Sequence, residues 1–292
     1  MRKFERIMAF DMKQMTRFLV VIIVVIWLFS ACGSRKSDSQ YDNTADADTI
    51  ALAVDTLSLS SDAIDSVSIA ADESFDDFFF NFAVNKRLQK SRIKFPLPEV
   101  KGEKTDLITE AKWKMDYFFM RQDFYTLLFD NEQEIEDVKT TDINHAIVEK
   151  IYFKTKSVKQ YSFDRKNGNW ILNRIEYIPI ISSHNASFLQ FYERFVTDSA
   201  FQSSSLSETV NFVGPDPDDD FSQMEGIITP DTWPAFAPVL PSKMIYNIVY
   251  GHPKKEGDNK VFVLRGIANG LEIELCFKRN KAGKWKLTKL TT

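Results

Sequence analysis
The most pointed chemistry lies in a run of alternating carboxylates, Gly214-Pro215-Asp216-Pro217-Asp218-Asp219-Asp220, which sets Asp216, Asp218 and Asp220 at every second position. Oxygens so spaced could converge on a hard cation such as calcium, which takes about six to eight of them. The run lacks the central glycine and the distal glutamate of an EF-hand loop, and its two prolines make an acidic solvated loop a sufficient account. There are three histidines: His145 just before a strand, His184 in a connection and His252 in a lysine-rich turn. A general base needs a partner within hydrogen-bond reach, and these positions read as solvated loop residues instead. Cys276 has no base near it in sequence and reads as structural rather than nucleophilic. A Gly-x-Ser-x-Gly elbow, a phosphate-cradling loop, His-Glu-x-x-His and Cys-x-x-Cys are all missing, so no catalytic residue and no cofactor is assigned. Four aromatics remain as candidates. Trp113 and Trp233, with Tyr125 and Tyr246, recur at like places beside a helix-to-strand transition. They suit a pocket wall or a core, because large aromatics dominate packing.

The elements that would position these residues come in two copies. Ser74-Phe75-Asp76-Asp77-Phe78-Phe79-Phe80-Asn81-Phe82 returns as Ser187-Phe188-Leu189-Gln190-Phe191-Tyr192-Glu193-Arg194-Phe195. In each, a serine followed three residues on by Asp77 or Gln190 reads as a capping box. The aromatics then fall at i, i+3, i+4 and i+7, one face of a helix. Gln89 and Gln202 keep the same spacing to these runs, and Ile108-Thr109 with Trp113 returns as Ile228-Thr229 with Trp233. Tyr125 to Phe129 matches Tyr246 to Tyr250 as a strand, and Phe163, Arg165, Gly168 and Trp170 match Phe277, Arg279, Gly283 and Trp285. Repeats found in this order predict two homologous units of about 110 residues, a normal domain size. Further strands are expected near 147–156, 158–164 and 169–178, and near 260–268, 271–278 and 284–290. Leu271, Ile273, Leu275 and Phe277 alternate with polar neighbours, as on a sheet with one wet face. Asn167-Gly168 and Asn269-Gly270 read as two-residue hairpin turns. The expected fold is α+β: a unit with an N-terminal helix packed on a curved antiparallel meander, duplicated in tandem over 74–181 and 182–292.

The N-terminus carries Arg2, Lys3, Arg6, Lys13 and Arg17 before an uncharged run from Phe18 to Phe29. That run is a signal-peptide core, too short to span a bilayer comfortably, which takes about 20 apolar residues. Met12 or Met15 could be the translation start. Leu28-Phe29-Ser30-Ala31-Cys32 resembles the lipobox of bacterial lipoproteins, which implies a leader over 1–31 and acyl chains on Cys32. An uncleaved anchor with an incidental cysteine is the alternative. Two acyl chains give stable anchoring where one is marginal. From Ser34 to Glu73 the chain turns to Ser, Asp, Ala and Thr, too little apolar surface to fold. Residues 32–73 thus read as anchor and tether, with a reach of about 35 Å for about 40 residues.

Removing a leader with five basic and two acidic residues takes the net charge from -4 to -7. The segment from Gly33 to Glu73 holds two bases against nine acids, so the region from Ser74 onward is formally neutral. Nucleic-acid binding normally leaves a basic footprint, and neither this balance nor export fits it.

The lipobox, the Ser-Phe-x-x-Phe helix and the Ile-Thr-x-x-x-Trp segment together resemble an uncharacterised lipoprotein family of Bacteroidetes-type bacteria, domain of unknown function 4348. The resemblance implies a cystatin-like or nuclear-transport-factor-2-like α+β fold, repeated twice, and implies no activity. The expectation is a lipid-anchored envelope protein, on the outer membrane facing the periplasm or exposed at the surface. It would be a non-enzymatic binding or interaction module for a protein or small-molecule ligand. A small-molecule isomerase or hydrolase in one sheet cavity and a calcium-binding envelope protein are the alternatives.

Overall fold
A computed structural model of the chain describes residues 74–137, 143–216 and 218–292, apart from the side chains of Asp137, Asp220 and Phe221. The leader, Cys32 and the tether lie outside the described residues. Ser74 opens the first helix, α1 (Phe75–Val84): its hydroxyl accepts the Asp77 N–H at 3.2 Å and donates to the Asp77 carboxylate at 2.7 Å. Asp76 and Asp77 in the first turn also complement the helix dipole. Asn85 ends α1 and caps the next helix, α2 (Lys86–Ser91), by accepting the Arg87 and Leu88 N–H groups, both at 3.0 Å. Strands β1 (Leu97–Lys101) and β2 (Lys104–Ile108) follow, then β3 (Phe124–Phe129), helix α3 (Glu132–Asp137) and the meander β4 (His145–Tyr152), β5 (Ser157–Lys166) and β6 (Asn169–Pro179).

The second half runs through α4 (Ala186–Thr197), α5 (Ser199–Ser204), β7 (Leu206–Asp216), β8 (Asp219–Ile228), the single turn α6 (Trp233–Phe236), β9 (Met244–Tyr250), β10 (Asn259–Gly266), β11 (Glu272–Arg279) and β12 (Trp285–Thr291). Here the expected capping box is absent. The helix starts one residue before Ser187, and Glu256 accepts the Phe188 N–H at 2.8 Å in its place. Ser187 instead accepts the Trp285 indole N–H at 2.9 Å.

Both aromatic helix faces are buried as the periodicity predicts. Phe75, Phe78, Phe79 and Phe82 pack edge-on or tilted around Phe163 of β5, and Phe188, Phe191 and Phe195 do the same around Phe277 of β11. Trp170 and Trp285 close the two clusters, at 4.9 Å from Phe75 and 5.3 Å from Phe188.

The sheets are not the simple meanders expected. One has the order β2-β1-β6-β5-β4-β9, the other β8-β7-β12-β11-β10-β3. In each, a β-hairpin from the start of a half joins the end of the meander through a parallel pair, β1 with β6 and β7 with β12. Registers agree closely: Leu97 faces Ile108 and Val210 faces Ile228, while β-bulges fall at Ser162/Phe163 and Cys276/Phe277. The last strand of each sheet is exchanged. β3 lies in the first half of the sequence but pairs with β10, and β9 lies in the second half but pairs with β4. Neither sheet is therefore assembled from one half of the chain alone.

The exchange also corrects one sequence match. Phe163 faces Ala146 and Phe277 faces Lys260, so Lys150 and Leu264, each four residues further along, take like places. Their neighbours in the exchanged strands are Tyr246 and Thr126. Thr126, and not Tyr125, thus stands where Tyr246 stands in the other sheet. Of the two predicted hairpin turns, Asn167-Gly168 is as expected, with φ of 50° and 78°. The β10–β11 connection is longer than two residues: it runs from Gly266 to Leu271, whose backbone atoms bond at 2.7 Å, with Gly270 at φ 67° inside it.

Candidate functional site: a lysine and tyrosine row on the first sheet
Directly paired residues in a sheet point to the same face. Across all six strands of the first sheet the pairs Tyr246–Lys150, Lys150–Lys159, Lys159–Tyr177, Tyr177–Lys101 and Lys101–Lys104 form one continuous row. Tyr161 stands one rung closer to α1 on the same face of β5, and Phe163, beneath α1, one rung beyond it. The row therefore begins where the phenylalanine cover ends.

Asp116 anchors it. Lys150 Nζ donates to both Asp116 oxygens at 2.7 and 2.8 Å, the Tyr161 hydroxyl donates to Oδ2 at 2.6 Å and the Phe118 N–H to Oδ1 at 2.8 Å. The Lys150 and Asp116 side chains are 10% and 21% exposed. Gln89 of α2, fully buried, holds the Asp116 backbone from both sides: its Nε2 donates to the Asp116 carbonyl at 2.6 Å and its Oε1 accepts the Asp116 N–H at 3.2 Å. The same Oε1 accepts the Trp113 indole N–H at 3.2 Å. Phe118 is held at φ 48°, a left-handed conformation that strains a bulky residue by about 1–3 kcal/mol. Its ring is wedged 4.8 Å from Phe79 and 4.9 Å from Tyr161.

Electrostatics fix the protonation of this cluster. Burial alone would raise the Asp116 carboxyl, but the Lys150 ammonium and the hydrogen bonds from Lys150, Tyr161 and Phe118 outweigh it and hold the group below the usual carboxylate range. Burial, with the Asp116 charge adding to it, pushes the Tyr152, Tyr161 and Tyr246 phenols up, and burial with Glu99 does the same to Tyr177. The row thus presents phenols held in their neutral form at physiological pH beside the lysines. Asp116 is a weak base with its oxygens occupied, and the phenols do not ionise, which suits binding better than proton transfer.

Among the described side chains the second sheet shows no matching row of lysines and tyrosines. Thr126 faces Leu264, Leu264 faces Ile273, and at the far edge Gly214 faces Met224. Leu275 is buried at the position of Tyr161. Phe212 and the exposed Phe236 meet edge-on at 5.4 Å.

Where the two sheets meet, a cavity of about 570 Å³ is lined by Asp130, His184, Asn185, Asn247, Tyr250 and Lys260, among others. Several of its polar groups satisfy one another. Lys260 donates to Asp130 and to Asn185, Asn185 Nδ2 and His184 Nε2 lie 3.0 Å apart, and Asn247 bridges the Leu128 N–H and the Glu149 carboxylate, both at 2.9 Å. This cavity reads as a polar joint between the sheets.

The structure distributes the four aromatics singled out from sequence unequally. Tyr246 stands in the row. Trp113 lies behind it, gripping Asp116 through Gln89. Trp233 is buried in the second core, its indole N–H on Gln202 at 3.0 Å. Tyr125 stacks on Phe119 at 4.6 Å. Asp216 and Asp218 sit at the tip of the β7–β8 hairpin, where Asp216 Oδ1 accepts the Asp218 N–H at 2.9 Å, and the Asp220 side chain lies outside the described residues. Among the described residues no group of three or more His, Cys, Asp or Glu could hold a metal ion.

Two of the three histidines depart from the expectation of solvated loop residues, while His252 is exposed in a turn as expected. His145 and His184 are only 18% and 17% exposed, and His145 Nδ1 lies 2.7 Å from Asp164 while its ring stacks on His252 at 4.5 Å. Burial and the nearby Glu132 push the Cys276 thiol up to about 12, which suits a structural cysteine. Asp116, Tyr152, Lys159, Tyr161 and Tyr177 were missed from sequence. One signal was available: Lys150 shares the face of Ala146 and Val148, where a core strand would place an apolar residue such as Leu264.

Helices over one face of a six-stranded sheet with this strand order make the chain an NTF2-like α+β protein. A crystal structure of an NTF2-like protein from Bacteroides fragilis NCTC 9343 is similar to it, with 41% identity and a TM-score of 0.67, over 76% of this chain and 96% of that one. No curated protein matches. The chain belongs to the family described as Domain of unknown function (DUF4348), which matches residues 59–292.

Proposed function
We propose that the mature chain is a lipid-anchored envelope protein whose folded region is a non-enzymatic binding module, with the α1-bearing face of the first sheet as its recognition surface. The observation that carries this reading is the row of lysines and tyrosines on that face, against Thr126, Leu264 and Ile273 on the other. Descent of both halves from one copied unit, over 74–181 and 182–292, accounts for the matching registers. On that view only one copy kept or acquired polar recognition groups. An isomerase or hydrolase on the same face is the second reading, favoured because the titratable cluster occurs on one sheet only. The locked Asp116 weighs against it.

Anchoring rests on the lipobox at Cys32. Among the described residues no helix is long and apolar enough to cross a membrane. Wild-type protein is expected to sediment with membranes and to carry an acylated Cys32 by mass spectrometry, and Cys32→Ser to be released in soluble form. Equal membrane association of Cys32→Ser would sink the anchoring claim. Ligand search on the folded region, by calorimetry against envelope extracts, tests the binding reading; turnover of a bound compound would favour the enzyme.

A further inference from the structure
Like charges directly opposite one another on a sheet repel, yet four lysines stand in one row. Three of them have a carboxylate. Lys150 is neutralised by Asp116, Lys101 by Glu99 at 2.7 Å and Lys104 by Asp106 at 3.0 Å. The fourth, Lys159, sits in the middle between Lys150 and Tyr177 and has no carboxylate partner among the described residues. The two acids whose charges act on it are committed elsewhere: Asp116 to Lys150 and Tyr161, Glu99 to Lys101 and the Tyr177 hydroxyl.

The surroundings of Lys159 are aromatic. Its ammonium lies 4.6 Å from the Tyr161 ring centre and 5.4 Å from that of Tyr177, contacts that favour the cation, while the charges of Asp116 and Glu99 act on it without pairing with it. Half-buried cations are ordinarily paired, and Lys150, directly opposite on β4, obeys that rule.

We propose that the missing fourth anion is a group on the ligand: the first sheet binds an oxyanion, carboxylate or phosphate, whose charge pairs with Lys159 and whose body lies among Tyr152, Tyr177 and Tyr246. This rests on the reading of that face as the recognition surface. The Tyr152 and Tyr246 phenols, kept protonated, add hydrogen-bond donors to the ammonium, while Tyr177 contributes its ring, its hydroxyl being given to Glu99. Burial lowers the Lys159 ammonium from the usual lysine value, as expected for a cation awaiting its partner. The second sheet has Ile273 where the first has Lys159, so the cation itself is missing at that place.

The test uses the full folded chain with three probes, benzoate, inorganic phosphate and the uncharged benzyl alcohol, read by melting temperature and by NMR shifts of the tyrosine rings. Wild type is expected to be stabilised by benzoate or phosphate in a saturable manner, and the better of the two tells carboxylate from phosphate. Lys159→Met should weaken that binding by about tenfold or more and Lys159→Arg should retain it. Without ligand, Lys159→Met should melt no lower than wild type, which separates lost binding from lost folding. The oxyanion assignment is overturned if Lys159→Met binds as well as wild type, if benzyl alcohol binds as tightly as benzoate, or if neither anion binds at all. Benzyl alcohol binding alone, with tyrosine shifts, would leave the recognition surface standing; no shift with any probe would remove both.

Discussion
Asp116→Ala should lower the unfolding free energy by about 3–5 kcal/mol, the usual cost of removing one partner from a buried pair. The ammonium of Lys150 would be left without its counter-charge, and the Tyr161 hydroxyl and Phe118 N–H without an acceptor. The strained Phe118 backbone would also lose one of the contacts that hold it. A double variant, Asp116→Ala with Lys150→Leu, should recover most of the loss, because the second sheet folds with Leu264 in that place. Urea unfolding of the three proteins measures both effects, and a single variant that costs under about 1 kcal/mol would mean the pair is a surface ion pair in effect. The pH dependence has a definite sign. The folded carboxyl lies below its unfolded value, so the unfolded chain binds more protons and stability rises with pH through that interval. The contribution is complete above the ordinary carboxylate range and disappears as pH falls through the folded value. Asp116→Ala should therefore show a flatter acid limb than wild type.

The second large effect is expected at the joint between the sheets. Asn247 of β9 accepts the Leu128 N–H of β3 and donates to Glu149 of β4, so one side chain ties the two exchanged strands to the first meander. Thr126 and Tyr246 add a second tie: the Thr126 hydroxyl donates to the Tyr246 carbonyl at 2.6 Å and accepts its N–H at 2.9 Å. Asn247→Ala would leave a buried N–H and a fully buried carboxylate each short of a partner. The cost should be about 2–6 kcal/mol, from two unsatisfied groups at about 1–3 kcal/mol each. Thermal or urea denaturation checks it. If β3 and β9 each paired within their own half, this substitution would fall on a less critical site and cost well under the lower figure.

Sequence made the helices legible and the sheets only partly so. Phe75, Phe78, Phe79 and Phe82, and their counterparts from Phe188 to Phe195, announce one buried face because helical periodicity is local. Gln89 and Gln202 were visible as conserved spacings between the two halves, and each proves to hold the indole of Trp113 or Trp233. The β1–β2 hairpin was not visible: Leu97-Pro98-Glu99-Val100-Lys101 is short, has a proline, and faces solvent with part of its length. Likewise, the acidic run at Asp216 gave no hint of two long strands meeting at its tip.

The exchange of β3 and β9 could not be read from alternation, which assigns a residue to a face but not a strand to a sheet. The candidate site escaped for the same reason. Lys101, Lys150, Lys159 and Tyr246 are brought into line by pairing between distant strands, and Asp116 reaches them from a connection that Gln89 pins in place.

The central claim is that recognition belongs to the Lys159 face of the first sheet. An NMR titration of the folded chain with benzoate, with lysine, tyrosine and methyl groups observed together, tests it most directly. Shifts should centre on Lys159, Tyr152, Tyr177 and Tyr246, with Leu264, Ile273 and Leu275 unmoved. Perturbation centred on those three aliphatic residues, with the lysine row silent, would contradict the account.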